Sequence, residues 1–575
     1  MADTIELKVL VIGAGISGIA AAKFYLDIHP DSRLVILERD TCVGGTWNSR
    51  RGYDSFWTQW TVGTAEFSDQ PMARPPDEDL YYEFFRAKHT TKYLETYVDS
   101  HSYANRSLRD RIKLSVEVKS VLKRDGMWNI TATQRQTGSQ HIFRASKLIV
   151  DSGLTSIPNL PLLPGRENFS ARILHHDNFG SSKILTSPDV QNVTILGAGK
   201  SSADMAYEAV KSGKNVTWIL KDTDTTGPGF FLSPKGKGPY ENAFEVGMTR
   251  LAGSFSPSFM NGINGWTSFL HSSKFGVRMM GTFWNTIDIE ARKEAKFDRK
   301  LSKGFEQLAP HSPIFWQNCT GGLLNHEDFF DTIAENVTFY TGKVTSLGNH
   351  RVLLNTGDEV SSDALLCGTG WVASHLFFSE NQCRELGLPY EAIQGNPEEK
   401  KHWSELEAEA DKKVLNTFPQ LADPPSHYEK SACQTAYRLY RNIVPLCEST
   451  VAEGDRSIVF IGHVGVGNYF RAVECQSMWA TAYFDGKLEL PSAEEQEKEI
   501  ALFTAWNRRR YLSKGQRGNT MIFELIGYTD TLLRDMGLSS HLKGWFKDIF
   551  ATCWARDLKN LKPEFIAKFG YDGVV

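Results

Sequence analysis

Short apolar runs, each followed by a glycine-rich turn and a helix-forming stretch, are the first regularity along this chain. Residues 9–12 form an apolar run as long as a buried strand, and a helical pattern follows the glycine turn after it. A second apolar run covers residues 34–37 and ends in Glu38. The pattern predicts a strand, a helix and a strand in that order, the unit of a parallel α/β sheet.

The same order of elements returns later in the chain. Residues 193–196 form an apolar run, a glycine turn follows, and residues 203–210 have a helical pattern. Residues 216–220 then form the next apolar run, which is followed by Lys221. Two units of this kind predict an α/β fold with two Rossmann-like dinucleotide-binding domains.

Later apolar runs predict a return to the first domain. Residues 337–366 have strand patterns that end in a glycine turn, and residues 457–467 form another apolar run with a glycine turn. The second domain is therefore expected to be inserted into the first. Close approach of backbone to a cofactor is expected at the glycine turns of these two runs, which contain Gly368, Thr369, Gly370 and Gly462.

The remaining segments have weaker patterns. Residues 50–76 look like a loop, and residues 81–101 predict an amphipathic helix. Residues 225–317 lack strand–helix alternation and are rich in Gly, Phe, Trp and Met. They predict a helical insertion, either a lid over a substrate channel or a separate hydrophobic cluster. The tail from residue 492 is helical and aromatic. The domain boundaries expected from these patterns are 1–185 and 371–575 for the first domain and 186–370 for the second.

The first glycine turn has the spacing that binds a dinucleotide. Gly13 permits a tight turn, Gly15 lets the backbone approach a pyrophosphate, and Gly18 lets helix and strand pack closely. The pyrophosphate is expected at the helix N-terminus, and Glu38 can accept hydrogen bonds from a ribose diol. The alternative is a glycine turn with a solvated Glu38. Shortly downstream lie further expected cofactor contacts, Arg39, Gly45, Thr46 and Trp47, of which Trp47 can cover the cofactor.

The second glycine turn differs at two informative positions. Its expected cofactor contacts are Gly197, Gly199, Lys200, Ser201 and Ser202. Ser202 takes the place of the third glycine, and Lys221 takes the place of the acid. A cation at that place accommodates a 2′-phosphate, so the second site is expected to prefer NADP to NAD. The alternative for Lys221 is a solvated lysine at a strand end. The natural pairing is FAD at the first site and NADPH at the second.

Composition excludes several classes of protein. The chain has 575 residues, 41% hydrophobic and 23% charged, and a net charge of -4, so nothing indicates a nucleic-acid partner. The eight cysteines have no C-x-x-C or zinc spacing, which favours reduced thiols in the cytoplasm and argues against a disulfide reductase and a metal site. We expect no integral membrane segment. The oligomeric state stays open.

With these motifs in place, the chain resembles the class B flavoprotein monooxygenases, and among them the flavin-containing monooxygenases. The resemblance covers most of the chain, including both glycine turns, the segment from Gly45 to Trp47 and the turn at residues 368–370. The linker fingerprint of that family is degraded. The Trp-Pro ending typical of Baeyer–Villiger relatives is absent, because Phe179 is followed by Gly180.

The resemblance implies a chemistry and site residues. It implies that NADPH reduces FAD, that dioxygen forms a C4a-(hydro)peroxyflavin, and that one oxygen atom passes to a nitrogen, sulfur or activated carbon of a small substrate, which the aromatic content hints is apolar or aromatic. The family usually has a Thr-Asn pair beside the flavin, and here Thr58-Gln59 takes its place. Gln59, Thr58 and Trp47 are therefore the expected catalytic residues. Baeyer–Villiger oxygen insertion is the alternative, and an uncoupled NADPH oxidase or a non-catalytic dinucleotide-binding protein is a third.

Overall fold

The structure is a computed structural model. The residues that it describes are 4–221, 227–299, 303–316, 321–373, 375–392, 396–425, 434–446, 454–512 and 514–571. Within these residues, no helix has the length and apolar character needed to cross a membrane.

The first sheet contains the first and last apolar runs of the sequence. Its strands lie in the order Ile112–Lys113, Leu34–Leu37, Thr4–Ile12, Gln140–Val150, Met127–Gln134 and Val116–Arg124. The end of Gln140–Val150 also pairs in parallel with Ile458–Phe460. The chain therefore returns to this sheet more than 300 residues after leaving it, as the apolar run there predicts.

The second sheet is entirely parallel. Its order is Arg172–His175, Ala364–Cys367, Asn192–Leu196, Asn215–Leu220 and Val337–Thr341. The two-sheet α/β fold expected from the sequence is confirmed. One of its strands, Arg172–His175, precedes residue 186, so the second sheet takes a strand from before the expected start of the second domain.

Helices cover both sheets and fill the C-terminal region. Ile16–Ile28 and Lys200–Lys211 follow the two glycine turns, and the first is buried nearly all round because it also packs on Tyr469–Phe484. The other α-helices of at least five residues are Lys88–Ser100, Ala243–Gly247, Arg250–Ser254, Gly265–Ser272, Lys274–Ala295, Phe329–Asn336, Glu380–Glu385, Pro397–Thr417, Ala493–Arg510, Gly527–Asp535, Trp545–Phe550 and Leu561–Phe569.

Two expectations for the segment after the first unit are wrong. Residues 50–76 contain a strand, Trp57–Thr61, that pairs with Phe84–Arg86, and Phe84–Arg86 pairs with Leu80–Tyr81. The expected helix over residues 81–101 is only Lys88–Ser100. The reason is a two-residue turn in which Tyr82 and Glu83 both have positive φ, 50° and 65°, which makes a hairpin and not a helix.

The helical insertion packs on the C-terminal tail. Trp284 meets Phe523 edge to face with ring centroids 4.8 Å apart, and Trp506 donates its indole N–H to Pro257 O at 2.6 Å. Buried residues of both regions belong to the same core as the helix Ile16–Ile28. The insertion is therefore not a separate hydrophobic cluster. Smaller paired strands connect the segments, namely Ile157–Pro158 with Trp371–Val372, Phe231–Leu232 with Gly322–Leu323, and Gly465–Val466 with Thr520–Met521.

Candidate functional site

The first glycine turn closes over the ends of two parallel strands. Gly13 has φ +110°, and a β-carbon there would lie 2.0 Å from Asp151 O. A β-carbon on Gly18 would lie 2.1 Å from Gly13 O. Neither position has room for a side chain, so the turn stays close to the sheet. Gly15 directly precedes the helix Ile16–Ile28, whose N-terminus opens into a cavity.

That cavity has a volume of about 610 Å3, within the usual range for cofactor sites. It gathers most of the residues expected at the first site. Those lining it are Gly13, Gly15, Glu38, Arg39, Gly45, Thr46, Trp47 and Gly462. Gly18 lies behind the turn and not in the lining. The cavity thus connects the glycine turn, the strand end at Glu38 and the late turn at Gly462.

Glu38 is held rigidly at the edge of this cavity. Its carboxylate accepts hydrogen bonds from Ala14 N at 2.8 Å and Asp40 N at 2.9 Å, and the residue is buried. Burial raises the pKa of this carboxyl, and the two backbone N–H groups oppose that rise. The carboxylate is fixed next to the turn, as a ribose contact requires.

Arg39 and Thr46 connect the cavity wall to the first crossing segment. The Arg39 guanidinium donates to Ser156 O, and the hydroxyls of Thr46 and Thr155 are 2.7 Å apart. Both contacts hold the turn after Gln140–Val150 against the cavity. That turn, residues 152–157, lines the cavity as well.

An aromatic wall encloses one side of the cavity. Trp47 lies parallel to Phe56 with ring centroids 5.4 Å apart, and its ring centroid is 4.7 Å from that of Trp60. Trp47 and Trp60 line the cavity together with Val464, Val466 and Ile522. Such a wall excludes water from whatever binds beside it.

The first site also contains a hydrogen-bonded group that sequence reasoning missed. The Asp151 carboxyl accepts from Ser17 Oγ at 2.5 Å and from Gly18 N at 2.6 Å, and Ser17 Oγ lies 2.8 Å from Tyr469 Oη. Burial raises the pKa of Asp151 well above its usual value. Since Ile12 pairs with Val150, the residues that follow both strands meet, but the sequence pattern alone does not give this register. Tyr469 is too distant in sequence to have been found.

Gly462 fits tightly into the same group. A β-carbon there would lie 2.3 Å from Tyr469 Oη and 2.4 Å from Ser17 Oγ, and Gly462 N donates to Gln476 Oε1 at 2.9 Å. The late glycine turn is therefore fixed directly beside the first helix.

The second glycine turn repeats this geometry with different residues. Gly197 has φ +120°, and a β-carbon there would lie 2.5 Å from Gly368 O. Gly199 precedes the helix Lys200–Lys211, whose first turn contains Ser201 and Ser202. Thr369 Oγ1 donates to Asn159 O at 2.5 Å, and Asn159 N donates to Gly370 O at 3.0 Å. The two crossing segments thus meet behind the second turn.

The two lysines of the second site have different surroundings. Lys221 is exposed directly after Asn215–Leu220 and forms no ion pair within the described part of the chain. Residues 222–226 lie outside that part. Lys200 pairs with Asp204 at 2.5 Å, one turn along its helix.

Thr58 and Gln59 do not join Trp47 in the cavity lining. Thr58 is fully buried, and its hydroxyl donates to Trp60 O or Phe85 O, at 2.8 and 3.0 Å. The Gln59 amide is hydrogen-bonded to the strand Gly322–Leu323. Their catalytic role stays a prediction. The described residues contain no group of three or more His, Cys, Asp or Glu side chains placed to hold a metal ion.

Comparison with known proteins agrees with this geometry. A family model described as pyridine nucleotide-disulphide oxidoreductase matches residues 10–249, which include both glycine turns. A FAD-dependent monooxygenase of Pyrenophora dematioidea is 31% identical over 558 residues, covering 93% of this chain and 98% of that protein.

Solved structures share the fold over nearly the whole chain. The polycyclic ketone monooxygenase of Thermothelomyces thermophila has a TM-score of 0.60 at 14% identity, covering 95% of this chain and 90% of that one. Cyclohexanone monooxygenase from Rhodococcus sp. Phi1, solved bound to NADP+, has a TM-score of 0.58 at 15% identity. The match covers 93% of this chain and 98% of that one. At such identities these likenesses show the fold alone.

Proposed function

Because the chain belongs to the family of FAD-dependent monooxygenases, we propose that it binds FAD at the first glycine turn, consumes NADPH bound at the second, and transfers one oxygen atom to a small organic substrate. The observation that carries the proposal is the pair of glycine turns on two parallel sheets, one beside a buried acid and a large cavity, the other beside a cation. The acceptor atom is nitrogen, sulfur or activated carbon.

The residues around the first cavity fit FAD. The glycine turn leaves no room for side chains where a pyrophosphate would approach, the helix N-terminus favours an anion, and Glu38 is fixed for a ribose diol. When bound, FAD supplies the hydride and oxygen chemistry, and the protein supplies binding and orientation. Arg39, Gly45, Thr46 and Gly462 complete the proposed contacts.

The proposed NADPH site uses the second turn. Gly197, Gly199 and Ser201 would face the pyrophosphate, and Ser202, buried against Gly368, supports the turn from behind together with Thr369 and Gly370. Lys221 is exposed and close to the place that a 2′-phosphate takes in this type of site, with Lys200 as a second cation. The proposed domains are 1–185 and 371–575 around FAD and 186–370 around NADPH.

The proposed catalytic residues act by enclosing and positioning. Trp47 and Trp60 line the cavity side by side, and the two rings would cover the cofactor and exclude water, which limits release of hydrogen peroxide. Thr58 and Gln59, the other expected catalytic residues, lie on the strand that contains Trp60 and are proposed to position that strand beside the cavity, without lining it themselves. An apolar or aromatic substrate suits the wall of Trp47, Trp60 and Ile522.

Baeyer–Villiger oxygen insertion is the second candidate, since two structural neighbours are named as ketone monooxygenases. One feature of this chain disfavours it. A β-carbon on Gly180 would lie 2.6 Å from Gly52 O and 2.9 Å from Arg51 O. The Pro of the Trp-Pro ending typical of those enzymes therefore cannot stand at Gly180 without moving the backbone.

The test is product analysis with labelled dioxygen. The purified protein should be yellow, oxidise NADPH faster than NADH, and place one labelled oxygen atom in an amine, sulfide or phenol from a panel that also contains ketones. A lactone or ester product would establish the alternative, and peroxide without product would establish an uncoupled oxidase.

A cytoplasmic location is part of the proposal, supported by five free thiols among the described residues.

A further inference from the structure

Gln59 lies on an irregular strand that turns its side chain outward. In the pairing of Trp57–Thr61 with Phe84–Arg86, Trp57 faces Arg86 and Thr61 faces Phe84, so the longer segment contains extra residues. Such irregularities redirect side chains. Gln59 is the one partly exposed residue of a strand that is otherwise buried. Its amide therefore leaves the FAD domain and reaches the other domain.

The Gln59 amide both accepts from and donates to the backbone of a single residue of the NADPH domain, Leu323. Leu323 N donates to Gln59 Oε1 at 2.7 Å, and Gln59 Nε2 donates to Leu323 O at 3.1 Å. Gln59 Nε2 also lies 3.3 Å from Asn325 Oδ1. The side chain thus extends the two-strand pairing of Phe231–Leu232 with Gly322–Leu323 across the domain boundary.

These contacts end at the start of the NADPH-site helix. A β-carbon on Gly322 would lie 2.5 Å from Gln59 Oε1 and 3.3 Å from Cγ and Cδ of Lys200. Beside this point, Trp57 meets His326 edge to face, with ring centroids 6.2 Å apart. His326 in turn stacks on Tyr207, with ring centroids 4.0 Å apart. Gln59 is therefore in contact with the strand that lies against the first residue of the second glycine helix.

We propose that Gln59 is a positioning residue that joins the two dinucleotide domains and sets where NADPH meets the flavin. The inference rests on the proposed function for its consequence but not for the contact itself. It differs from a direct hydrogen bond to the flavin, because Gln59 is not among the residues lining the first cavity. The length of the side chain matters, since asparagine is one methylene shorter and cannot make both bonds to Leu323 in this backbone arrangement.

Two variants distinguish a residue that positions the NADPH domain from one that acts directly at the flavin. In Gln59→Asn and Gln59→Ala we expect the KM for NADPH to rise and the rate constant of flavin reduction to fall, each by about tenfold, the scale of two lost hydrogen bonds. FAD content should stay at the wild-type level. If FAD reduction by NADPH is unchanged and only peroxide release increases, Gln59 acts at the flavin and the proposal is overturned.

Hydrogen exchange tests the contact without any activity. The Leu323 amide should exchange at least about tenfold faster in Gln59→Ala, whereas the Leu324 amide, which donates to Leu232 O at 2.9 Å, should keep its rate. Unchanged exchange at Leu323 would also overturn the proposal. A wild-type protein that does not oxidise NADPH would refute the proposed function and leave this measurement valid.

Gln382→Ala is the matched control. Gln382 also bonds backbone with both ends of its amide, accepting from Ser379 N at 2.9 Å and donating to Val121 O at 2.8 Å. It does not line the first cavity and lies within the proposed FAD domain. We expect a loss of stability similar to that of Gln59→Ala with no change in KM for NADPH. An equal rise in KM in both variants would mean general loosening and not positioning.

Discussion

At both glycine turns the helix must pack closely against the end of a neighbouring strand, and the two turns place the small residue on different sides of that contact. At the first, the helix has Gly18 and the neighbouring strand is followed by Asp151, whose carboxyl lies between them and accepts from Gly18 N. At the second, the helix has Ser202 and the neighbouring strand is followed by Gly368, where a β-carbon would lie 2.0 Å from Ser202 Oγ. The third glycine of the motif is therefore dispensable when the strand residue opposite is itself glycine.

The two sites also differ in how firmly their ribose-side residue is held. Glu38 is 6% exposed and bonded to two backbone N–H groups, whereas Lys221 is exposed at a strand end. Substitutions at the first site should consequently affect cofactor retention and stability. Substitutions at the second should affect the choice between cofactors.

The largest expected effect is at the first turn, with Gly13→Ala. The new β-carbon would clash with Asp151 O at 2.0 Å and the residue would keep φ +110°, a combination that needs backbone movement. Overpacking of this kind costs about 1–3 kcal/mol, so we expect FAD affinity to fall by about 5- to 150-fold and the protein to lose most of its yellow colour. Absorbance at the flavin band after gel filtration measures it.

Gly138→Ala is its control, because Gly138 has φ +73° but nothing within 4 Å of a β-carbon. That variant should keep its FAD. Colour loss in both variants would assign the effect to backbone strain in general and not to the turn.

Gly197→Ala should be the next largest effect and should separate the sites. Its β-carbon would lie 2.5 Å from Gly368 O, so the second turn must move while the first is untouched. We expect a yellow protein whose flavin is reduced by dithionite at the normal rate but by NADPH at least about tenfold more slowly. Loss of FAD from this variant would contradict the independence of the two sites.

The sequence predicts the sheets better than the site. Four apolar runs, residues 9–12, 34–37, 193–196 and 216–220, identify central strands because those strands are buried on both faces and need no alternation. The strand Trp57–Thr61 was missed because it mixes polar and aromatic residues and because the glycine before it and the prolines after it favour a loop. Its hairpin partner turns at Tyr82-Glu83, a pair without the glycine or asparagine that such turns favour.

The candidate site was predicted where its residues are close in sequence. Gly13, Glu38 and Trp47 come together through one strand–helix–strand unit, which local patterns determine. Asp151 and Tyr469 join them only through sheet register and a helix hundreds of residues away. Such long-range pairings depend on tertiary packing, which periodicity in one sequence does not encode.

An effect of intermediate size is expected on the pH dependence of stability in Asp151→Asn. The folded-state pKa of Asp151 is raised above the usual value of 3.8, so the folded protein holds a proton that the unfolded chain releases. Its stabilising contribution is therefore full below pH 3.8 and is lost as pH rises toward the folded-state pKa, by up to about 1.4 kcal/mol per pH unit. Asparagine cannot ionise, so the melting temperature of the variant should fall less steeply above pH 4.

The groups facing Asp151 do not reverse this sign. Hydrogen bonds from Ser17 and from Gly18 N lower the pKa of Asp151, but burial raises it by more, and the nearby Glu38 carboxylate raises it further. Melting curves from pH 4 to 8, with Glu117→Gln on the cavity edge as control, measure the difference. Parallel pH profiles for wild type and Asp151→Asn would show that Asp151 is ionised in the folded protein.

The smallest effect is expected at the exposed end of the second site, with Lys221→Ala. An exposed lysine contributes a screened point charge and not a bidentate contact, so its loss should raise the KM for NADPH about three- to tenfold. The KM for NADH should stay within about twofold, because NADH has no 2′-phosphate. Lys211→Ala, at the C-terminal end of the helix Lys200–Lys211 and paired with Asp328, is the control and should change neither constant. An equal rise for both cofactors would remove Lys221 from the phosphate site and would leave the preference to Lys200, whose charge is shared with Asp204.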